Sequence, residues 1–215
     1  QGGVATWAQG YGYQTATTTP GTQAFILTHE REATKNLFNM TKRFNDFIPE
    51  GILPKATISN ANELMFKAIN SGYSVGTAGN RAVGRSQTIQ FLHGSEVAYW
   101  QNAEEHAKGI LQTVPRENGT AIILESTANG IGNYFYQMWM AASSGKSDFM
   151  AVFLPWFWQD EYTIIDPNEE FSLTEEEEDL FYNHQDEGLT NEHLYWRRKK
   201  LLEFSNDHET AKELF

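Results

Sequence analysis

TAIILESTANG, residues 120–130, joins a short apolar run to a polar turn. The run Thr120–Leu124 predicts a buried strand, because it is short, apolar and bounded by turn residues. Small hydroxyl residues follow it, and then the sharp-turn dipeptide Asn129-Gly130. An aromatic-rich helix is expected next, over Asn133–Ala142. A strand, a polar turn and a helix in this order are the repeating unit of an α/β domain.

Similar patterns lie on both sides of this unit. The further predicted strands are Thr22–Thr28, Thr88–Leu92 and Phe149–Leu154, with a hairpin or irregular strands over 64–78. The further predicted helices are one that carries Ala33, Leu37, Met40, Phe44 and Phe47 on one face, and one over Asn102–Val114. The predicted fold class is therefore α/β, with a mostly parallel sheet flanked by helices. Ligands of such sheets bind outside the carboxyl ends of the strands.

The C-terminal part differs from this core in composition. Twelve Asp or Glu and no Lys or Arg occur between Gln159 and Glu187. Ser172 and Glu175 have the spacing of a capping box, which predicts a short helix, and two more helices are expected over Thr190–Phe204 and Asp207–Phe215. We predict a core at 1–158, followed by an acidic and helical segment at 159–215.

Charge and cysteine usage limit the classes of function. The net charge is −12, but outside the acidic stretch 16 acids balance 16 bases, so a surface that faces nucleic acid is permitted. The chain has no Cys, which excludes disulfide frameworks, thiolate metal sites and cysteine nucleophiles and suits a reducing compartment. No apolar run approaches the roughly 20 residues that span a bilayer. We therefore expect no membrane partner.

Three polar clusters are candidates for a site at the carboxyl ends of the strands. The first, Gly2, Gly3, Val4, Ala5 and Thr6, is interpreted either as the end of a phosphate-binding loop or as a plain glycine-rich turn. Thr6 would be the hydroxyl ligand of Mg²⁺ in the first interpretation. The standard loop motif also has an earlier Gly and a Lys just before the hydroxyl residue. This chain has neither that first Gly nor that Lys.

Ser95-Glu96 follows the predicted strand at 88–92 and forms the second cluster. A carboxylate in this position can orient the water that attacks a terminal phosphate, although a solvated surface acid is the alternative. Ser95 stands where a metal-binding Asp is usual, and it is a weaker ligand for Mg²⁺.

Ser126, Thr127 and Asn129 belong to the third cluster, and Arg85 lies 11 residues before Glu96. The hydroxyls can sense a phosphate, or the segment is an ordinary strand-to-helix turn. Arg85 is a candidate finger that stabilises transition-state charge in a neighbouring subunit, or else a surface Arg. The stretch Arg197–Lys200 either contacts phosphates or forms a solvated helix face. The six histidines lack metal-ligand spacing and are expected to be structural or at the surface.

Four segments together resemble the ATPase domain of tailed-bacteriophage terminase large subunits. They are PGTQAFILTHEREATKNLF at 20–38, GRSQTIQFLHGSEVAYW at 84–100, ESTANG at 125–130 and LTNEHLYWRRKKLL at 189–202. In chain order they are similar to the strand and helix after the nucleotide loop, the Walker B region, the coupling motif and the helical linker of that family. The likeness covers nearly the whole chain.

This resemblance implies a P-loop NTPase-like core of the additional-strand, conserved-Glu type, with a C-terminal helical linker subdomain. It implies ATP and Mg²⁺ as cofactors, Glu96 as the catalytic base, and Ser126, Thr127 and Asn129 as the coupling element. The implied partners are double-stranded DNA, the portal protein and procapsid, the small terminase subunit, and further copies of the chain in a ring. The implied location is the host cell cytoplasm and, during packaging, the portal vertex.

The chain departs from the family pattern in three ways. By that resemblance we expect the sequence to start inside the nucleotide loop and to lack the family's nuclease domain, and Ala5 stands where the family usually has Ser. We therefore expect the 215-residue polypeptide alone to hydrolyse ATP poorly or not at all. Two alternatives stay open: a helicase-like, nucleic-acid-dependent ATPase, and a catalytically inactive scaffold with the same fold.

Overall fold

The protein's structure is a computed structural model that describes residues 3–78, 87–165 and 171–203. Gly2, Arg85 and the predicted helix at 207–215 lie outside these residues. The described residues form two compact units, Gly3–Ala141 and the residues from Ala142 onward. The predicted boundary between a core at 1–158 and an acidic, helical segment at 159–215 stays a prediction.

The first unit is built on a six-stranded sheet. Its strands are β1 (Gln23–Thr28), β2 (Ile58–Ser59), β3 (Glu63–Phe66), β4 (Ser71–Thr77), β5 (Phe91–Ser95) and β6 (Ala121–Glu125). Their order in space is β2-β3-β4-β1-β5-β6. Strands β4, β1, β5 and β6 are parallel, whereas β2 and β3 pair in antiparallel fashion. The four parallel strands therefore end at one side of the sheet, which we call the carboxyl edge.

The described helices are α1 (Val4–Thr18), α2 (Arg31–Phe47), α3 (Ala103–Leu111), α4 (Tyr134–Ser143), α5 (Glu175–His184) and α6 (Asn191–Glu203). The predicted helices that carry Ala33–Phe47, Asn102–Val114 and Asn133–Ala142 are confirmed within a few residues. None of the helices in the described ranges is both long and apolar enough to cross a lipid bilayer.

Two hydrophobic cores cover the two faces of the sheet. Alternate residues of β1 point to opposite faces, and five of its six residues are buried, as expected for a central parallel strand. Ala24 and Ile26 pack in the core that contains residues of α1 and α2. Phe25 and Leu27 pack in the core that contains residues of α3. The predicted α/β class, a mostly parallel sheet between helices, is confirmed.

Helix α1 was not predicted, because its sequence resembles a loop. Two glycines and several threonines lower its intrinsic helix propensity. Packing outweighs propensity here: a Cβ atom at Gly12 would lie 2.4 Å from the ring of Phe91, so only glycine lets the helix approach β5 this closely. Within the predicted glycine-rich turn, Gly3 has a left-handed φ of 70°, but Val4–Thr6 already belong to the helix.

Strand β5 lies three residues later than the predicted strand at 88–92. His93, Gly94 and Ser95 have the composition of a turn, yet all three pair with β6, and His93 and Gly94 also pair with β1. Gly94 is required in the strand, because a Cβ atom there would lie 2.7 Å from Leu124 and 3.1 Å from Trp100. The hairpin expected over 64–78 is formed by β3 and β4.

The predicted strand at 149–154 is wrong, since none of the described strands includes it. Its apolar side chains are exposed: Met150 is 84% and Phe153 67% accessible. A strand needs a neighbour to pair its backbone groups. An apolar, β-favouring sequence alone therefore does not make one.

The second unit contains α5 and α6 around a small core of Phe157, Leu189 and Leu194. The predicted capping box at Ser172 and Glu175 is wrong by two residues. Thr174 is the N-cap of α5, and its hydroxyl accepts from the backbone N–H of Glu177, whose carboxylate accepts from the backbone N–H of Thr174 at 2.9 Å. Both residue pairs fit the motif, so the spacing could not select between them.

The basic stretch at 197–200 pairs with the acidic helix. Arg197 donates to Glu176 at 3.1 Å, and the Nε of Arg198 donates to Glu177 at 2.9 Å. Burial alone would raise the pKa of Glu177, but hydrogen bonds from Arg198 and Thr174 outweigh it and hold that pKa below its ordinary value. These two arginines thus stabilise the pairing of α5 with α6.

Candidate active site

Glu96 directly follows β5 at the carboxyl edge, and its backbone is left-handed, with a φ of 53°. A short 3₁₀ turn, Val97–Tyr99, comes next. The indole N–H of Trp100 donates to the carbonyl oxygen of Ser95 at 2.9 Å and fixes the end of this turn. The chain therefore reverses abruptly at Glu96 and leaves its carboxylate half-exposed at the edge.

Ser126 and Thr127, which follow β6, hold this carboxylate from the neighbouring strand end. The hydroxyl of Ser126, the backbone N–H of Thr127 and the hydroxyl of Thr127 all donate to Oε2 of Glu96, each at 3.3 Å. Parallel pairing brings these residues together, since Ser95 lies opposite Glu125 in the register of β5 and β6. Three donors on one oxygen fix the orientation of the carboxylate.

The segment 126–130, which we call the coupling segment, is also fastened to the 3₁₀ turn. Asn129 donates through its side-chain amide to the carbonyl oxygen of Ala98 at 3.1 Å, and the hydroxyl of Tyr99 donates to the carbonyl oxygen of Ala128 at 3.2 Å. The backbone N–H of Ala98 donates to the hydroxyl of Ser126 at 3.2 Å. Movement of either segment therefore disturbs the other.

An open cavity of about 250 Å³ lies beside the carboxylate and is lined by His29, Glu96, Tyr99 and Thr127. It is smaller than most pockets for whole organic ligands, and its size suits a phosphate group with its waters. A larger cavity of about 370 Å³ lies between α1 and the end of α2. Its walls are almost entirely apolar and carry none of the predicted site residues, so we do not regard it as the site.

His29 and Tyr99 were not predicted as site residues. His29 follows β1 at the carboxyl edge, and its Nδ1 is buried without a hydrogen-bond partner in the described part of the chain. Its ring lies 6.1 Å from that of Tyr99. The position of His29 one residue after a central strand was the available signal, but without metal-ligand spacing it was interpreted as structural or at the surface.

The N-terminus of α1 lies toward the same edge. Gly12 packs on Phe91 at the start of β5, and Gln9 contacts His93 in its middle, so α1 runs antiparallel to β5. Val4 lies five residues before Gln9, or roughly 7.5 Å further toward the carboxyl edge at 1.5 Å per residue. The first turn of α1 contains no acidic side chain, and the first N–H groups of a helix, which have no partner inside the helix, form the kind of end that attracts anions.

The two predicted metal ligands differ in their surroundings. The hydroxyl of Thr6 lies 3.7 Å from the sulfur of Met40, on α2, while Ser95 is buried at the end of β5. In the ranges that the structure describes, no group of three or more His, Asp or Glu side chains is arranged to hold a metal ion. Mg²⁺ is commonly bound by one or two protein groups together with substrate phosphates, and that mode needs no such group.

Comparison with protein-family sequence profiles finds no match. Comparison with solved structures does find similar folds. The large terminase of bacteriophage HK97 is 13% identical, with a TM-score of 0.66, over 99% of this chain and 43% of that one. The large-terminase ATPase domain of Thermus phage P74-26 is 14% identical, with a TM-score of 0.50, over 66% of this chain and 61% of that one. An arginine-to-alanine mutant of that domain is 17% identical, with a TM-score of 0.51.

The chain thus spans about three fifths of the P74-26 domain and less than half of the HK97 protein. The fold of this chain is that of the ATPase domain of phage large terminases.

Proposed function

We propose that this chain is the ATPase domain of a DNA-packaging motor, which hydrolyses Mg·ATP and couples the reaction to movement of double-stranded DNA into a procapsid. The observation that carries this proposal is the set of three hydrogen bonds from the coupling segment to the Glu96 carboxylate. These bonds join the proposed base, Glu96, directly to the proposed reporters of the phosphate state, Ser126 and Thr127.

In the proposed reaction, Glu96 accepts a proton from a water molecule as the oxygen of that water attacks the terminal phosphorus. The bond from that phosphorus to the bridging oxygen of ADP breaks, and ADP and phosphate are released. The N–H groups at the start of α1, from Gly3 to Thr6, bind phosphate oxygens, and Thr6 and Ser95 are the proposed protein ligands of the Mg²⁺ that arrives with ATP.

Release of phosphate changes the contacts of Thr127, which lines the cavity beside Glu96. Because Asn129 is bonded to the turn after Glu96, that change reaches the rest of the coupling segment. The proposed partners are double-stranded DNA, the portal protein and procapsid, the small terminase subunit and other copies of the chain in a ring. The proposed location is the host cell cytoplasm and, transiently, the portal vertex.

Substitution of the base tests this proposal. Glu96→Gln keeps the size of the side chain and removes the proton acceptor, so hydrolysis should fall by about 100-fold or more, while ATP binding stays within a few-fold. Phosphate release should be measured on the natural protein. Glu104→Gln is the matched control, because Glu104 is exposed on α3 and pairs with Lys108. Wild-type turnover in Glu96→Gln would contradict the proposal.

An inactive scaffold with the same fold is the second candidate. It is favoured by Ala5, which has no hydroxyl, and by the contact of the Thr6 hydroxyl with Met40. Isothermal titration calorimetry with Mg·ATP separates the two candidates, because a scaffold binds no nucleotide. A helicase-like motor binds nucleotide but gains no ATPase activity from procapsids, and procapsid-stimulated turnover would exclude it.

A further inference from the structure

A row of buried polar side chains crosses the interior of the first unit and ends beside the coupling segment. It runs from Tyr73 of β4 and Thr41 of α2 through Gln9 of α1 and His93 of β5 to Glu125 at the end of β6. Gln9, His93 and Tyr73 are completely buried. Buried polar groups are costly unless they are paired, so a row of this length needs an explanation beyond packing.

Side-chain chemistry determines which group donates and which accepts in each hydrogen bond of the row. Burial raises the pKa of Tyr73, so its hydroxyl keeps its proton and donates to the amide oxygen of Gln9 at 2.5 Å. The hydroxyl of Thr41 donates to the same oxygen at 3.2 Å. The amide nitrogen of Gln9 therefore faces Nδ1 of His93, at 2.6 Å, and donates to it. Since Nδ1 accepts, the imidazole proton lies on Nε2.

The last contact of the row is close but not aligned. Nε2 of His93 lies 3.3 Å from Oε1 of Glu125, yet it makes no aligned hydrogen bond in the part of the chain that the structure describes. A buried N–H without an acceptor is unfavourable, so His93 favours any small shift of Glu125 that aligns the pair. Ser126, the next residue, bonds to Glu96.

We propose that Gln9 and His93 are positioning residues that link α1 to Glu125 and thereby set the position of the coupling segment. This inference rests on the proposed function. Helix α1 begins at the proposed phosphate-binding turn, so a shift of α1 on phosphate binding moves Gln9. The row carries that movement to Glu125 without passing through the cavity, and the coupling segment is then controlled from two sides.

A pair of variants at Glu125 tests the last contact. Glu125→Ala removes the acceptor from a half-buried position, and kcat for ATP hydrolysis should fall about tenfold with an unchanged KM. Glu125→Gln keeps a side-chain oxygen that accepts from Nε2 and should restore most of kcat. A merely structural role would give no such difference between Ala and Gln at equal thermal stability, and equal kcat values in the two variants would overturn the proposal.

Combination with Gln9→Leu tests whether the row acts as one unit. If Gln9 and Glu125 act through the same link, the double variant Gln9→Leu/Glu125→Ala should be no slower than the slower single variant. Independent roles would multiply the two defects and would overturn the proposal. Glu96→Gln serves as the reference: if it does not affect hydrolysis, the proposed function itself fails, whereas loss of hydrolysis in Glu96→Gln with wild-type kcat in Glu125→Ala rejects only this inference.

Discussion

Glu96 has an unfavourable backbone conformation, and its carboxylate accepts three hydrogen bonds. A left-handed conformation costs an L-residue other than Gly about 1–2 kcal/mol, and Asn, which tolerates it better, occupies the other left-handed non-Gly positions of the described chain, Asn70 and Asn102. Strain of this kind persists where the surroundings hold it in place, and it is common at functional sites. The three donors on the Glu96 carboxylate supply that constraint.

Thr127 provides a sharp test at this scale, because its hydroxyl and backbone N–H both reach the Glu96 carboxylate. Thr127→Val keeps the shape and removes the hydroxyl, so we expect kcat for ATP hydrolysis to fall about tenfold with little change in KM. Thr127→Ser keeps the hydroxyl and should retain most of the activity. Steady-state phosphate release measures both, and equal activity of the Val and Ser variants would show that the hydroxyl has no role.

The grouping of Glu96 with Ser126, Thr127 and Asn129 could be predicted because each residue closely follows a recognisable strand. Ends of parallel strands meet at one edge whatever the details of packing. His29 and Tyr99 could not be predicted as neighbours of Glu96. A lone His and an aromatic residue in a short turn carry no signal for the direction in which their rings point, and tertiary packing sets that direction.

At the scale of elements, α1 illustrates the limit of local propensity. Its buried residues Ala8, Gln9, Gly12, Tyr13, Ala16 and Thr17 recur with helical spacing, but three of the six are polar or lack a side chain. The apolar periodicity that would predict a helix is therefore weak in this part of the sequence. The helix is stabilised by close packing on β5, which depends on a glycine that sequence rules interpret as a helix breaker.

Replacement of two glycines of α1 by alanine should change the stability of the fold in opposite directions. Gly12→Ala should destabilise the fold by about 1–3 kcal/mol, because the added methyl group would overlap the buried ring of Phe91. Gly10→Ala should instead stabilise it by about 0.5–1 kcal/mol, since the nearest atom to the new Cβ is 3.9 Å away and Ala favours helix. Urea unfolding measures both. A stabilised Gly12→Ala variant would show that α1 does not pack this closely.

The pairing of α5 with α6 gives a prediction about pH. The pKa of Glu177 is held below its ordinary value of 4.5 in the folded protein, so its stabilising contribution is present above pH 4.5 and is lost as the pH falls through the folded value. Glu177→Gln should therefore cost about 1–3 kcal/mol at neutral pH, and the difference from wild type should shrink in acid.

Thermal unfolding monitored from pH 7 to below 4.5 measures this difference. Glu178→Gln is the matched control, because Glu178 is the exposed neighbour of Glu177 on the same helix. A Glu177→Gln deficit that stays constant across this range would contradict the assignment of the ion pair to Glu177 and Arg198.

At the scale of the whole molecule, alternation of strands and helices was sufficient to predict the α/β class and the edge that carries the polar clusters. The order of the strands was not predicted, and the segment at 149–154 failed as a strand because pairing partners are set by topology and not by composition. Some acidic residues of the second unit form ion pairs within it. Arg197 pairs with Glu176, and Arg198 pairs with Glu177.

We expect above all that the end of a triphosphate binds at the carboxyl edge, between the start of α1 and the Glu96 carboxylate. A structure of the natural polypeptide with Mg²⁺ and a transition-state analogue such as ADP–aluminium fluoride tests it most directly. We predict a water or fluoride ligand within about 2.6–3.2 Å of a Glu96 carboxylate oxygen, with the aluminium beside Thr127 and the β-phosphate at the N–H groups of residues 3–6. An analogue bound elsewhere, with Glu96 still bonded only to Ser126 and Thr127, would contradict the account.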